Sequence, residues 1–266
     1  SEVDTLRSAI RRGEIQPYFQ PVFALDDMEI VGCEVLVRWI RDGAIVSSPD
    51  RFIPLAENSG LIVQLTDTLM TDALLKLRPL LEKDHAFKVA FNVTPHHFVS
   101  DGFLRWLCNK LEGLGVSHSN IVLELTERQA FADTKKATAS AAAARQAGFR
   151  ISLDDTGSGH NGLGYVQELP VDIIKIDKKF VDLVDRDLTA LSIVKMLVAL
   201  ARELGMTTVA EGVETNTQVE TLRDLGVSEG QGYFVSPAVP FERFLSMVET
   251  SADVPNPALP KQDAAA

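Results

Sequence analysis

Charged and amide side chains recur in this sequence within short apolar runs or directly after them. The residues are Glu34, Asn92, Glu124, Asp154, Asp155, Lys175 and Glu211. A buried charge is costly unless it is paired or bound to a metal. Carboxylate and amide oxygens are hard ligands, which suit Mg²⁺ or Mn²⁺ better than zinc. Several acids together with a lysine and an arginine are typical of two-metal phosphoryl chemistry, in which paired ions hold the attacking and leaving oxygens.

Each of these residues also has a purely structural interpretation. Glu124 could be a salt-bridged or edge residue, and Asn92 could cap a helix that begins near Pro95. The pair Asp154–Asp155 could belong to a turn before Gly157, and a lysine within a strand often extends its ammonium to the surface. The structural interpretation needs a separate explanation at every strand. The joint occurrence of these polar residues therefore favours a functional site.

The histidines do not indicate a metal site. His96 and His97 are adjacent, so their side chains diverge, and the remaining histidines (His85, His118 and His160) are isolated. His160 could be mistaken for an acid–base residue, but packing within its loop is the favoured interpretation.

Eight apolar, β-branched segments are predicted as strands, and helical periodicity fills the gaps between them. They are Ile15–Phe23, Glu29–Trp39, Phe87–Val93, Ile121–Thr126, Arg150–Asp154, Val171–Ile176, Thr207–Ala210 and a weaker one near Gly230–Val235. This alternation predicts an α/β fold, a TIM-like (β/α)8 barrel, in which polar residues at strand ends meet at the C-terminal face. An open doubly wound sheet is the alternative, although no Gly-rich dinucleotide loop follows an early strand.

The first two strands depart from the barrel pattern. The gap from Ala24 to Met28 is too short for a helical crossover, so the first strand should be antiparallel to the second. Helices are predicted at Leu61–Leu81 and Leu188–Leu204, and Thr215 with Gln218 predicts a capping box ahead of a further helix.

Composition restricts the class of partner. The 266 residues carry a formal charge of −11, which disfavours a polymeric nucleic-acid partner but still permits a small phosphate ligand. No apolar run approaches the roughly 18 residues of a membrane span. Cys33 and Cys108 are predicted to be buried free thiols in a reducing cytoplasm. Residues 1–250 are expected to form one barrel, excised from a longer protein, and residues 251–266 a disordered tail.

The ordered motifs resemble those of the EAL domain family of cyclic di-GMP phosphodiesterases. Glu34–Trp39 (EVLVRW) resembles the signature after which the family is named, with valine where alanine is usual. The other matching segments are Phe19–Pro21, Phe91–Val93, Glu124–Glu127, Asp154–Gly159, Leu169–Asp177, Ala210–Glu214 and Gly230–Tyr233. One such motif would be weak, whereas the ordered set, from roughly Leu6 to Val248, is highly specific.

The resemblance implies a barrel that cuts one phosphodiester bond of cyclic di-GMP to give linear pGpG, with two Mg²⁺ or Mn²⁺ ions. It implies metal binding by Glu34, Asn92, Glu124, Asp154 and Asp155, with Asp154 bridging the two ions. Lys175 is expected to hold or activate the nucleophilic water, and Glu211 and Gln231 to complete the metal–water network. Glu127 is expected to order the loop after Asp155. Arg38 is expected to contact a substrate phosphate, and Gln20, Gln231 and Glu214 are expected near the substrate.

The sequence departs from the family pattern in two places. Val35 replaces alanine beside Glu34, where its side chain should point away from the site and be tolerated. The loop Thr156–Gly162 (TGSGHNG) differs from the usual FGTGYSS, although both glycines of its first half remain. These changes could alter turnover or the coupling between subunits.

Two other functions remain open at this point. The chain could be a catalytically silent cyclic di-GMP receptor, or an unrelated Mg²⁺ barrel of the enolase type. A homodimer is expected, because related domains pair through helices beside the loop that follows Asp155. The motifs are also similar to those of EAL domains fused to sensory modules anchored in the inner membrane, which predicts a cytoplasmic domain.

Overall fold

The barrel is closed by its first strand. In the computed structural model, which describes residues 1–126, 133–156 and 166–253, one sheet has the order β1-β9-β8-β7-β6-β5-β4-β2-β3, and β1 also pairs with β2. The strands are β1 (Ile15–Ala24), β2 (Ile30–Arg41), β3 (Ala44–Ser47), β4 (Lys88–Asn92), β5 (Ile121–Thr126), β6 (Arg150–Thr156), β7 (Ile173–Ile176), β8 (Thr207–Glu211) and β9 (Glu229–Gln231).

Helices cover the outside of the barrel. They are α1 (Glu2–Arg11), α2 (Pro49–Asn58), α3 (Ile62–Lys83), α4 (Pro95–Phe98), α5 (Phe103–Leu114), α6 (Thr134–Gln146), α7 (Lys178–Val181), α8 (Leu188–Glu203), α9 (Asn216–Leu225) and α10 (Phe241–Asp253). The predicted α/β barrel is therefore confirmed. The tail predicted from residue 251 falls mostly outside the described residues, of which Asp253 is the last.

The predicted antiparallel first strand is also confirmed. β1 is antiparallel to both β2 and β9, whereas β2 and β4–β9 pair in parallel. A tight reversal, in which the Ala24 N–H donates to the Glu29 carbonyl at 2.9 Å, joins β1 to β2. Because this reversal leaves no room for a helix, the two strands must run in opposite directions.

Strand β3 was not predicted from the sequence. It forms a hairpin with β2 through a turn at Asp42 and Gly43, whose φ values are 51° and 78°. Its side chains are largely exposed, with Ile45 65% accessible, so it lacks the alternating burial by which strands are recognised. The Asp–Gly pair was the available signal, since this dipeptide is favoured where both turn residues need positive φ.

The core has an outer and an inner layer. Outside the strands, α3 buries Leu65, Leu69, Leu74 and Leu77, which lie on one face of the helix. Each fully buried leucine contributes roughly 1.5–3 kcal/mol. Inside the barrel, a narrow apolar belt lies halfway along the strands and consists of Ala90, Val122, Ile173 and Val209.

Several smaller predictions can also be compared with the structure. The capping box is confirmed, because the Thr215 hydroxyl accepts from the Gln218 N–H at 3.2 Å and the Gln218 side chain accepts from the Thr215 N–H at 3.1 Å. Both cysteines are free, but only Cys33 is buried; Cys108 is half-buried. Among the described helices, none combines the length and the apolar character that crossing a bilayer requires.

Candidate active site

Strand register brings the polar residues to one end of the barrel interior. Asn92 pairs with Glu124, Glu211 with Gln231, and Gln20 with Glu34. Paired residues of neighbouring strands point to the same face of a sheet. The convergence predicted from the strand ends is therefore present in the fold, beyond the apolar belt and toward the carboxyl ends of the parallel strands.

Lys175 lies at the centre of this convergence. Its side chain is 2% exposed, and its ammonium faces carboxylates from four strands. The Nζ–oxygen distances are 2.8 Å to Glu211, 3.1 Å to Glu34, 3.2 Å to Glu124 and 3.7 Å to Asp154. The interpretation of Lys175 as a surface lysine is wrong, since the ammonium is directed into the barrel.

Amide side chains orient the Glu34 carboxylate. Asn92 donates to one Glu34 oxygen at 2.6 Å, and Gln231 donates to the other at 2.7 Å. Gln231 also donates to the Gln20 amide oxygen at 3.1 Å, so Gln20 reaches Glu34 only indirectly. Burial opposes the ionisation of Glu34, but the Lys175 charge and these hydrogen bonds outweigh it and lower its pKa.

Two other acids of the cluster, Glu124 and Glu211, have raised pKa values. Burial, reinforced by the neighbouring Glu34 charge, raises the pKa of Glu124 well above its usual range. Burial raises the pKa of Glu211 to about 8, even though Lys175 opposes this shift. Burial alone would lower the pKa of Lys175, but the surrounding carboxylates raise it. One ammonium therefore stabilises the charged form of these acids only in part.

The donor set fits divalent cations. Four carboxylates surround one ammonium, and a buried oxygen of Gln231 has no hydrogen-bond partner in the described part of the chain. Within residues 1–126, 133–156 and 166–253, no three His, Cys, Asp or Glu side chains are already arranged around a common metal position. In the described part of the chain, the acids converge on the Lys175 ammonium. Hard oxygens with a deficit of positive charge are nevertheless the ligands that Mg²⁺ and Mn²⁺ prefer.

Two predicted substrate residues lie apart from the acids. Arg38 donates to the Val37 carbonyl at 2.9 Å and lies over the Tyr18 ring at 5.8 Å. It also lines a cavity of about 400 Å³ between β2, α2, α3 and β4, which Asn92 borders. Glu214 follows β8 and is paired with Lys178 at 2.5 Å. In the described part of the chain, neither residue forms a hydrogen bond or an ion pair with Glu34, Glu124 or Lys175.

Several predictions concern parts that the structure does not describe. Glu127 and the loop that contains His160 lie outside the described residues, as does the side chain of Asp155, although its backbone belongs to β6. Their predicted roles stay predictions.

Sequence reasoning did not single out Asp177 as a site residue. It follows β7 two residues after Lys175 and is 6% exposed. One carboxylate oxygen accepts from the Lys179 N–H at 2.9 Å and caps α7, whereas the other is buried without a partner among the described residues. Its place at a strand end was the signal that could have identified it.

The fold and the cluster together define a class: a (β/α)8-type barrel with an antiparallel first strand and an acidic, lysine-centred site at its C-terminal end. A family model described as the EAL domain matches residues 3–238. The chain therefore belongs to the EAL domain family, which confirms the resemblance inferred from its motifs.

Known relatives agree with this assignment. The chain is 40% identical to cyclic di-GMP phosphodiesterase PdeL of Escherichia coli, over 91% of this chain and 67% of PdeL. It is 36% identical to probable cyclic di-GMP phosphodiesterase PdeB of the same organism, over 92% of this chain but only 46% of PdeB. A solved structure, the PaMucR phosphodiesterase in complex with c-di-GMP, matches with a TM-score of 0.83 and 32% identity, over 92% of this chain and 100% of that one. The predicted enzyme class agrees with the names of these relatives.

Proposed function

We propose that this chain is a metal-dependent phosphodiesterase that hydrolyses cyclic di-GMP to linear pGpG. The observation that carries the proposal is the contact of Lys175 with four carboxylates at the C-terminal end of the barrel. The convergence of the predicted acids of the described part on this lysine supports hydrolysis as the activity. The names of PdeL and PaMucR support cyclic di-GMP as the substrate.

Glu34, Asn92, Glu124, Asp154 and Asp155 would hold two Mg²⁺ or Mn²⁺ ions, which supply Lewis acidity to a water molecule and neutralise charge at the phosphate. Lys175 offers a buried ammonium that can hold the nucleophilic water without ligating metal. The hydrogen bonds from Asn92 and Gln231 fix the direction of Glu34 before substrate binds, which limits reorganisation during the reaction.

Residues around the acids would bind the substrate. The planar guanidinium of Arg38 can give two parallel hydrogen bonds to a phosphate. One of its N–H groups donates to the Val37 carbonyl in the structure, and the other N–H groups of the guanidinium can donate to a phosphate. The cavity beside Arg38 and Asn92, which Asp50 and Glu57 also line, offers room for part of the nucleotide.

Glu34→Ala tests the site directly. Purified wild type is incubated with cyclic di-GMP and Mn²⁺, and pGpG is followed by chromatography. We expect turnover to fall at least about 100-fold in the variant, because a metal ligand and an anchor of Lys175 are removed together. Glu203→Ala, which removes an exposed carboxylate of α8, is the matched control and should retain full turnover.

Two outcomes would contradict the proposal. Normal turnover in Glu34→Ala would show that the acid cluster takes no part in the reaction. Wild-type protein that binds cyclic di-GMP and yields no pGpG after long incubation would instead be the catalytically silent receptor.

The chain is also proposed to act as a module, with its barrel in residues 1–250. Because it spans 67% of PdeL and 46% of PdeB, further segments accompany the matched region in both relatives. We therefore propose that it is fused to a sensory or membrane module. The free thiols favour a cytoplasmic location.

A homodimer is proposed as well, and light scattering on the purified chain would test it.

A further inference from the structure

Lys178 joins two loops at the C-terminal end of the barrel. It is the first residue of α7, directly after Asp177, and its side chain is 49% exposed. Its ammonium contacts an Asp182 oxygen at 2.9 Å, within the loop that follows β7, and a Glu214 oxygen at 2.5 Å, in the loop that follows β8. A single side chain therefore links the segments that follow the strands of Lys175 and Glu211.

Gly212 makes this link possible. Its φ is +70°, and a Cβ built on it would lie 2.9 Å from the Lys178 Cβ and still nearer to the next carbons of that side chain. The aliphatic part of Lys178 therefore lies directly against the Gly212 backbone. Any larger residue at 212 would both strain the backbone and push the ammonium away from Glu214.

Glu214 is held on its other side by the start of α9. Its backbone N–H donates to the Gln218 side chain at 2.8 Å, within the capping box of that helix. The backbone of Glu214 is thus fixed, and Lys178 restrains its carboxylate. An exposed ion pair of this kind adds little to stability, so the contact is better explained by orientation than by folding.

A carboxylate can only accept hydrogen bonds. The donors that cyclic di-GMP offers are the N–H groups of guanine and the hydroxyls of ribose, whereas its phosphates would repel an acid. Lys178 lowers this repulsion and occupies one Glu214 oxygen, which leaves the second oxygen for a substrate donor.

We propose that Lys178 is a positioning residue for substrate binding, which orients the Glu214 carboxylate toward a hydrogen-bond donor of the guanosine. This inference rests on the proposed function, because it takes cyclic di-GMP as the ligand. It assigns Lys178 no part in the chemical step, which belongs to Lys175 and the acids around it.

Lys178→Met should therefore raise KM without lowering kcat. We expect KM, and the Kd measured in EDTA, to rise about tenfold, as for loss of a charge-assisted hydrogen bond. Lys178→Arg should restore most of the affinity, because arginine also carries a positive charge. Lys179→Met is the matched control: it removes the same charge from the next residue, whose ammonium lies 4.7 Å from the Phe180 ring centroid, and should leave KM unchanged.

A double-mutant cycle with Glu214→Gln shows whether Lys178 acts through Glu214. If it does, Lys178→Met should raise KM no further in the Glu214→Gln background. A further tenfold rise there would overturn the inference and indicate a direct contact with substrate. An unchanged KM in Lys178→Met, or a fall in kcat alone, would overturn it too.

Failure of the proposed function gives a different result. Wild type that binds cyclic di-GMP in EDTA but yields no pGpG in Mn²⁺ would contradict hydrolysis, while the Kd values of the same variants would still test Lys178. Wild type that binds no cyclic di-GMP would overturn both proposals.

Discussion

The two ends of the barrel interior both carry charged side chains, but they hold them differently. At the C-terminal end, Lys175 lies within 3.7 Å of four carboxylates and is 2% exposed. At the N-terminal end, Lys88, Arg150 and Glu229 line one part of a cavity of about 120 Å³, which also reaches Glu124 and Gln231, and no ion pair among the described residues joins these three. Lys88 donates instead to the Ser119 carbonyl at 2.8 Å.

The apolar belt of Ala90, Val122, Ile173 and Val209 lies between the two ends. On its N-terminal side, the charges are less buried than Lys175 and do not form close ion pairs with one another, although Arg150 and Lys88 partly offset the effect of burial on the pKa of Glu229. On its C-terminal side, the charges are buried and interact strongly with one another. Removing or adding one charge therefore changes the electrostatic energy of all the others. The comparison teaches that charge alone does not mark the site; buried, mutually dependent charge with a shortage of cations does.

The largest expected difference between the ends is in turnover. Lys175→Met should lower kcat at least about 100-fold, because the ammonium that would hold the nucleophilic water is lost. Lys88→Met removes the same charge from the opposite end and should leave kcat within about twofold. Turnover of cyclic di-GMP is measured at saturation and normalised to the folded fraction from circular dichroism. Equal effects of the two substitutions would contradict the account.

The second difference is in metal-linked stability. A divalent cation at 100 times its Kd should stabilise the fold by about 2.7 kcal/mol for each site, because it supplies the positive charge that the acids lack. Thermal unfolding is compared in Mn²⁺ and in EDTA. Asp154→Asn should lose most of the gain, whereas Glu229→Gln should keep it. A melting temperature that does not respond to Mn²⁺ would argue against the site.

The smallest difference is in pH dependence at the N-terminal end. Burial raises the pKa of Glu229, although Arg150 and Lys88 oppose the shift. An acid with a raised folded-state pKa stabilises the fold below its unfolded-state pKa, and this contribution is lost as pH rises through the folded-state value. Glu229→Gln should therefore match wild type near pH 4 and exceed its unfolding free energy at pH 7, by less than about 1 kcal/mol. Urea unfolding at both pH values measures this, and a variant less stable than wild type at pH 7 would contradict the sign.

The local sequence pattern was enough to predict the arrangement of the strands and the end of the barrel at which the acids lie. Strand periodicity placed Asn92, Glu124 and Asp154 at one end of the barrel, since the parallel direction of the strands fixes which ends meet. The short gap before Met28 was enough to predict the antiparallel first strand. Both inferences depend only on local pattern.

Other features depend on contacts that no local pattern records. The approach of Lys175 to acids on four strands requires the stagger of the whole barrel. The link between Lys178 and Glu214 requires two loops to meet over Gly212. The partial exposure of Cys108 depends on how α5 packs, and an apolar neighbourhood in the sequence wrongly predicted full burial.

The most direct test of the central claim is to locate metal at the acid cluster. Crystals of the chain grown with Mn²⁺ are measured near the manganese absorption edge, and anomalous peaks are located. Two peaks among Glu34, Asn92, Glu124 and Asp154, beside Lys175, are the result that the account predicts. Crystals with full Mn²⁺ in solution and no peak at these residues, or peaks only at the N-terminal mouth, would contradict it.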